Sequence, residues 1–269
     1  MYPILLSWGP IILPSWHVFY VIGAMTGWAI FDRLLQKSEP ELAARHSAWL
    51  FAACYICGYF GARALSILVE EPDHRIPFLF FAALFQFGAM TLYGGLLGGF
   101  LAGLGYLVVR KIPFGPIFDA AVPAIMVGLG FGRIGCFLNG DDFGKAVVGA
   151  TAENSPWWSV IFPNLEDHLP RYPVQLWEVI FGFGLAALLV AASSRIRRVL
   201  RPGAIGVLGT LAYAIFRFWN ERYRGDFRGW ILENVLSTSQ VISALIILLI
   251  IGLIPLWLRK PQTGQTHLV

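Results

Sequence analysis

The chain has 269 residues, of which 57% are hydrophobic and only 13% are charged, and its mean hydropathy is +0.66. This composition excludes an ordinary soluble domain and is typical of a protein that crosses the bilayer several times. The formal net charge of +4 is too small to indicate nucleic-acid binding. We therefore interpret the basic residues as signals of membrane topology.

The chain contains seven apolar runs close to the roughly 20 residues that a helix needs to span a bilayer. They cover residues 15–31, 47–69, 92–109, 116–137, 173–192, 203–219 and 240–258. A further apolar piece, 78–90, is too short to span alone and is predicted to be re-entrant or interfacial. The first fourteen residues lack a basic region and a cleavage site, so we expect them to lie at the interface. We predict an all-α polytopic membrane protein with seven transmembrane helices in a single transmembrane domain, 1–269.

The loops between these runs differ in their basic residues. Loops 32–46, 110–115, 193–202 and the tail after residue 258 carry eleven, whereas the alternate loops carry six. Because cationic loops stay in the cytoplasm, the amino end is predicted outside and the carboxyl end in the cytoplasm. The largest outer loop, 140–171, is predicted to form a small extracytoplasmic cap.

One arginine, Arg133, lies in a glycine-rich stretch at the end of the fourth predicted helix. The stretch 128–145 reads GLGFGRIGCFLNGDDFGK. A charge behind so many apolar residues is costly in hydrocarbon, so such a residue usually faces a wet cavity or a partner and has a function.

Arg217 and Glu221 lie four residues apart and so share one face of the sixth predicted helix, with Tyr213 one turn earlier. One interpretation is a self-contained ion pair. The other is an anion site, because Arg133 lies near the same leaflet and guanidinium groups suit phosphate oxygens. The second arginine and the tyrosine favour the anion site, and a phospholipid head group is the simplest phosphate that a membrane protein meets.

Other polar residues in apolar runs are open to more than one interpretation. Gln175 and Glu178 share a face that is predicted to point inward. For Arg63, structural and functional roles remain equally open, whereas Asp119 is expected to cap or pack. Cys54 and Cys57 form one CxxC pair without the second pair that a zinc site needs, so they are interpreted as small apolar residues of a helix.

Five stretches resemble, in order, the bacterial prolipoprotein diacylglyceryl transferases. The sequence GRIGCFLNGDDFG at 132–144 is similar to the family signature G-R-x-x-N-F-x-N-x-E-x-x-G. The supporting stretches are MTLYGGL at 90–96, YPVQLWE at 172–178, YAIFRFWNE at 213–221 and STSQ at 237–240. The resemblance covers nearly the whole chain and implies seven helices with the amino end outside.

The resemblance also implies a reaction. In that family a diacylglyceryl group passes from phosphatidylglycerol to the lipobox cysteine of a prolipoprotein signal peptide, releasing glycerol phosphate, in the bacterial cytoplasmic (inner) membrane. No cofactor and no metal are implied. Two alternatives stay open: a phosphatidylglycerol-dependent transferase with a different acceptor, and a non-catalytic protein that binds or moves phospholipid.

The resemblance assigns the candidate site residues. The predicted catalytic residues are Arg133, Arg217, Glu221, Tyr93 and Asp141. The predicted substrate-binding residues are Asn139, Gly144, Tyr213, Gln175, Glu178, Trp16, Cys136, Gly94 and Gly95. The two arginines are expected to stabilise the phosphate leaving group, with Glu221 orienting Arg217.

The chain departs from the family pattern at several of these positions. The family has histidine at the position of Tyr93, asparagine at Cys136 and glutamate at Asp141. The group that accepts the thiol proton is therefore left open among Tyr93, Asp141, Glu221, the bound phosphate itself and, more remotely, His17.

Overall fold

The computed structural model describes residues 1–9, 11–70, 77–85, 90–226, 230–232 and 236–258. Over this part of the chain the fold is helical, with only short strand pairs between the helices. The helices are α1 (Ser15–Ser38), α2 (Pro40–Glu70), α3 (Pro77–Leu84), α4 (Leu92–Arg110), α5 (Phe114–Asn139), α6 (Val174–Val199), α7 (Ala204–Asn220) and α8 (Thr238–Leu258). The strands are β1 (Ile4–Trp8), β2 (Ile11–Pro14), β3 (Val160–Ile161), β4 (Pro170–Arg171), β5 (Trp230–Leu232) and β6 (Leu236–Ser237).

Each of the seven predicted apolar runs corresponds to a helix. Within the described residues, four helical segments are long and apolar enough to cross a membrane: Ser15–Ser38, Pro40–Leu68, Phe114–Asn139 and Val174–Val199. Helix α7 has 17 residues. The apolar segments of α4 and α8, Gly94–Arg110 and Thr238–Gly252, are shorter than the four candidate spans. The all-helical, multi-pass architecture is thus confirmed, whereas the number of seven spans and the orientation of the ends stay predictions.

The chain divides into two compact units. One comprises residues 32–116, and the other comprises 1–31 together with 117–269. The prediction of a single transmembrane domain is not tested by this division.

In the unit 32–116, α2 packs against α4 through glycines. A Cβ atom on Gly61 would lie 2.5 Å from the carbonyl oxygen of Gly94, and one on Gly98 would collide with the carbonyl oxygen of Cys57. Only residues without a side chain allow two helix backbones to approach this closely. The buried Arg63 donates from Nε to the carbonyl oxygen of Ala83 at 3.0 Å, so it ties α2 to α3. This contact favours the structural alternative for Arg63.

The apolar core of the other unit lies between α5, α6 and α7. It contains Val122, Met126, Leu185, Leu189 and Ile205. Beside this core the buried Asp119 of α5 accepts a hydrogen bond from the backbone N–H of Gly206 at 3.1 Å. Gly206 lies in the first turn of α7, where N–H groups lack helical partners. Asp119 therefore has a capping role, as expected, but it caps a different helix from its own.

Two smaller substructures flank the helices of this unit. Strands β1 and β2 form an antiparallel hairpin, and the N–H of Tyr2 donates to the carbonyl oxygen of Leu138 at 3.0 Å. The hairpin was not predicted, although Gly9 followed by proline is a turn signal between the two apolar stretches 4–8 and 11–14. The segment 140–171 contains the β3–β4 pair, and its fully buried Phe162 packs against Phe137 and Phe143. The segment is thus a folded unit, and its extracytoplasmic position stays a prediction.

Candidate functional site

Glu178 of α6 lies at the centre of a buried polar cluster. Its Oε2 atom is 2.6 Å from Nε of Arg133 on α5, and its Oε1 atom is 3.3 Å from Nη1 of Arg217 on α7. The hydroxyl of Tyr213 donates to the same Oε1 atom at 3.1 Å. One carboxylate therefore joins three helices and brings the two predicted arginines together.

The cluster continues from Arg217 toward the start of α8. Nη2 of Arg217 lies 3.0 Å from Oε2 of Glu221 and 3.5 Å from the hydroxyl oxygen of Ser239. The hydroxyl of Ser237 donates to Oε1 of Glu221 at 3.0 Å. The predicted Arg217–Glu221 pair is therefore present, but it is not self-contained, because Arg217 is shared with Glu178.

In the other direction the cluster continues through Asp142. Nη1 of Arg133 forms a short ion pair with Oδ2 of Asp142, and Oδ1 of Asp142 lies 2.8 Å from Nη2 of Arg224. Arg224 also donates from Nε and Nη2 to the two oxygens of Asp226, both at 2.9 Å. A continuous chain of ion pairs thus runs from Asp226 to Glu221.

Backbone hydrogen bonds connect the loops that follow α5 and α7. The N–H of Lys145 donates to the carbonyl oxygen of Tyr223 at 2.7 Å, and the N–H of Gly225 donates to that of Phe143 at 3.0 Å. Gly144 and Arg224 form the bridge between them. The ends of the helices that carry Arg133 and Arg217 are therefore held together by main chain as well as by side chains.

Several predicted binding residues surround this cluster. The side chain of Gln175 donates to the carbonyl oxygen of Asp141 at 2.8 Å, and the side chain of Asn139 donates to the Asp141 carboxylate. The Sγ atom of Cys136 lies 3.9 Å from Nη1 of Arg133. Cys136 therefore contacts the cluster itself. Asn139 and Gln175 contact Asp141, the residue next to Asp142.

The cluster is buried and almost balanced in charge. Arg133, Arg217 and Arg224 face Glu178, Glu221, Asp142 and Asp226, so the cluster has one more acid than it has arginines. The arginines are between 5% and 7% exposed. Charges this deep are tolerated only when paired. An added anion must therefore displace a carboxylate from an arginine, or bind guanidinium N–H groups that no carboxylate contacts.

The remaining predicted site residues are Trp16 of α1 and Tyr93, Gly94 and Gly95 of α4. Trp16 stacks on Tyr20 in α1, and a Cβ atom on Gly135 of α5 would lie 3.2 Å from the Cα atom of Trp16. Tyr93, Gly94 and Gly95 belong to the unit 32–116, and the side chain of Tyr93 lies outside the described part of the structure. Their role in the site stays a prediction.

Sequence reasoning missed Asp142, Arg224 and Asp226. All three lie in loops beyond the ends of α5 and α7, whereas most of the predicted ionisable residues lie within or next to apolar runs. A signal was nevertheless present, because Asp142 directly follows Asp141 and Arg224 lies two helical turns beyond Arg217. Of the two adjacent aspartates, Asp142 and not Asp141 pairs with Arg133.

Together, the apolar helices and the buried cluster define a multi-pass membrane protein with an internal arginine–carboxylate site. The sequence profile of the prolipoprotein diacylglyceryl transferase family matches residues 3–256. The chain therefore belongs to the prolipoprotein diacylglyceryl transferase family, a family of membrane enzymes.

Individual relatives cover nearly the same region. The chain is 28% identical over 250 residues to the phosphatidylglycerol–prolipoprotein diacylglyceryl transferase of Rickettsia rickettsii, covering 92% of this chain and 93% of the relative. It is 29% identical to the enzyme of the same name from Rickettsia felis, with the same coverage. The resemblance to this family predicted from sequence motifs is confirmed.

Proposed function

We propose that this protein transfers a diacylglyceryl group from phosphatidylglycerol to the lipobox cysteine thiol of a prolipoprotein signal peptide and releases glycerol phosphate. The reaction takes place in the bacterial cytoplasmic membrane. Family membership supports the class of reaction. The names of the Rickettsia relatives supply the donor lipid and the acceptor protein.

The observation that carries the proposal is the convergence of Arg133 and Arg217 on the two oxygens of Glu178. Guanidinium groups bind phosphate oxygens through a planar fork of N–H donors. Among the described residues, Nη2 of Arg133 and Nε of Arg217 have no hydrogen-bond partner. These two N–H groups bind the phosphate of phosphatidylglycerol.

The chemistry requires charge stabilisation on the leaving group. As the thiolate attacks the glyceryl carbon, the carbon–oxygen bond to phosphate breaks and negative charge builds on the glycerol phosphate that leaves. Arg133 and Arg217 stabilise that charge, while Glu178 and Glu221 hold the guanidinium planes. The thiol proton passes to a base whose identity stays open among Tyr93, Asp141, Glu221, the bound phosphate and, more remotely, His17.

The test combines purified protein, labelled phosphatidylglycerol and a peptide with a lipobox cysteine. The expected products are a diacylglyceryl peptide and an equal amount of glycerol phosphate. A matched peptide with serine in place of the cysteine stays unmodified. Glycerol phosphate without a modified cysteine peptide would contradict the assigned acceptor, and lipid binding without any turnover would contradict the transferase activity.

A further inference from the structure

Asp142 occupies an unusual position in the cluster, because it is the only acid among the described residues that pairs with both Arg133 and Arg224. Each of the two arginines also has another carboxylate partner. Arg133 keeps Glu178 as a second partner, and Arg224 keeps both oxygens of Asp226. Moving Asp142 away from Arg133 therefore leaves no buried arginine without a carboxylate.

Asp142 is also the more accessible of the acids that contact Arg133. Its side chain is 18% exposed, whereas that of Glu178 is 3% exposed. Glu178 is further fixed by Arg217 and Tyr213. An anion that approaches Arg133 thus meets one carboxylate that is deeply held and another at the edge of the cluster.

We propose that Asp142 is an exchangeable counter-ion of Arg133. In the free protein it occupies the position on Arg133 that the phosphate of the incoming lipid takes on binding. This inference rests on the proposed function, since it takes Arg133 as a phosphate ligand. A carboxylate and a phosphodiester both offer anionic oxygens to a guanidinium, and they repel each other when they share it. When the phosphate binds the free Nη2 of Arg133 and also the adjacent Nη1, Asp142 leaves Nη1 and stays on Arg224, which keeps Asp226.

This exchange has two consequences for the free site. Asp142 supplies Arg133 with a second carboxylate beside Glu178 when no lipid is bound, so the Nη1 donor of this buried guanidinium has a partner. The affinity for phosphatidylglycerol is lowered by the energy needed to displace Asp142. Removing that charge therefore tightens lipid binding, which is the opposite of what loss of a residue that merely positions Arg133 would do.

The chain offers a matched pair of variants for the test. Asp142 has a φ angle of +60°, and asparagine is one of the few residues that tolerate this region, so Asp142→Asn is expected to fold. Glu153→Gln is the control, because it also removes one negative charge but lies in an exposed loop. Binding of labelled phosphatidylglycerol to the purified full chain is measured in detergent micelles, with diacylglycerol as the phosphate-free comparison.

Asp142→Asn is expected to lower the Kd for phosphatidylglycerol by about three- to tenfold, since partly exposed ion pairs contribute modest energies. The Kd of Asp142→Asn for diacylglycerol and both Kd values of Glu153→Gln should stay unchanged. Asp142→Glu keeps the charge and should not bind more tightly than the natural protein. Equal or weaker binding of phosphatidylglycerol by Asp142→Asn, or tighter binding by Asp142→Glu, would overturn the exchange.

The binding measurement tests the exchange of Asp142 separately from the proposed transfer reaction. Tighter binding by Asp142→Asn without peptide modification would support the exchange and reject the transfer reaction. If Arg133→Ala binds phosphatidylglycerol as well as the natural protein does, the phosphate site itself is wrong.

Discussion

Nε of Arg133 lies 2.6 Å from Oε2 of Glu178, so a carboxylate of α6 fixes the arginine of α5. The other oxygen of Glu178 contacts Arg217 of α7. Two cations on separate helices can approach each other in a low-dielectric interior only with an anion between them. Glu178 therefore makes the convergence of the two arginines possible.

The first prediction concerns this central carboxylate. Glu178→Gln removes the charge that both arginines share and leaves them close together, so it should lower the free energy of unfolding by about 3 kcal/mol. Thermal unfolding in detergent measures the effect. Glu153→Gln, in an exposed loop, is the control and should change stability by less than about 0.5 kcal/mol. Equal stability of the two variants would show that Glu178 does not hold the cluster.

The second prediction concerns catalysis by the arginines. Arg133→Lys and Arg217→Lys keep the charge but lose the fork that contacts several acceptors at once, so each should lower kcat by about 100-fold or more. Peptide lipidation is the measurement, and Arg195→Lys, an exposed arginine near the end of α6, is the matched control. Full activity in the folded Arg133 and Arg217 variants would remove the phosphate site from the proposed function.

The third prediction concerns the cap on α7. Asp119→Ala leaves the buried N–H of Gly206 without its acceptor and should cost about 1–3 kcal/mol of stability. Asp119→Asn keeps an oxygen at the same position and should lose less than half as much. The two unfolding midpoints are compared in the same detergent. An asparagine variant as unstable as the alanine variant would show that the charge matters more than the hydrogen bond.

The fourth prediction concerns the contact between α2 and α4. Gly98→Ala places a methyl group against the carbonyl oxygen of Cys57, so it should destabilise the protein by about 1–3 kcal/mol. Gly105, on the same helix, has nothing within 4 Å of an added Cβ atom. Gly105→Ala should therefore stabilise it by up to about 1 kcal/mol, through helix propensity. Similar effects of the two substitutions on unfolding temperature would argue against close packing.

Sequence alone anticipated the helices well because their apolar runs are long and contain few charged residues. It also placed Tyr213, Arg217 and Glu221 on one face, since the helical period fixes that relationship. The extent of the helices was less predictable. Helix α2 begins at Pro40, seven residues before the predicted apolar run, because polar residues continue a helix beyond its membrane-spanning part.

Pairing within the site could not be read from sequence. Glu178 was predicted only to point inward, and nothing in its spacing revealed that it would bridge α5 and α7. The choice between Asp141 and Asp142 depends on the backbone turn after α5, where Gly140 and Asp142 both have positive φ angles. A one-residue difference in such a turn changes which carboxylate faces Arg133. Hydrophobic periodicity does not predict the geometry of this turn.

The hydrogen bonds that join Phe143 to Gly225 and Lys145 to Tyr223 also restrict how the protein can change. They hold the loops at the ends of α5 and α7 together by main chain, so the spacing of Arg133 and Arg217 does not depend on Glu178 alone. An insertion in either loop is therefore expected to change the separation of the two guanidinium groups, even when every side chain of the cluster is kept.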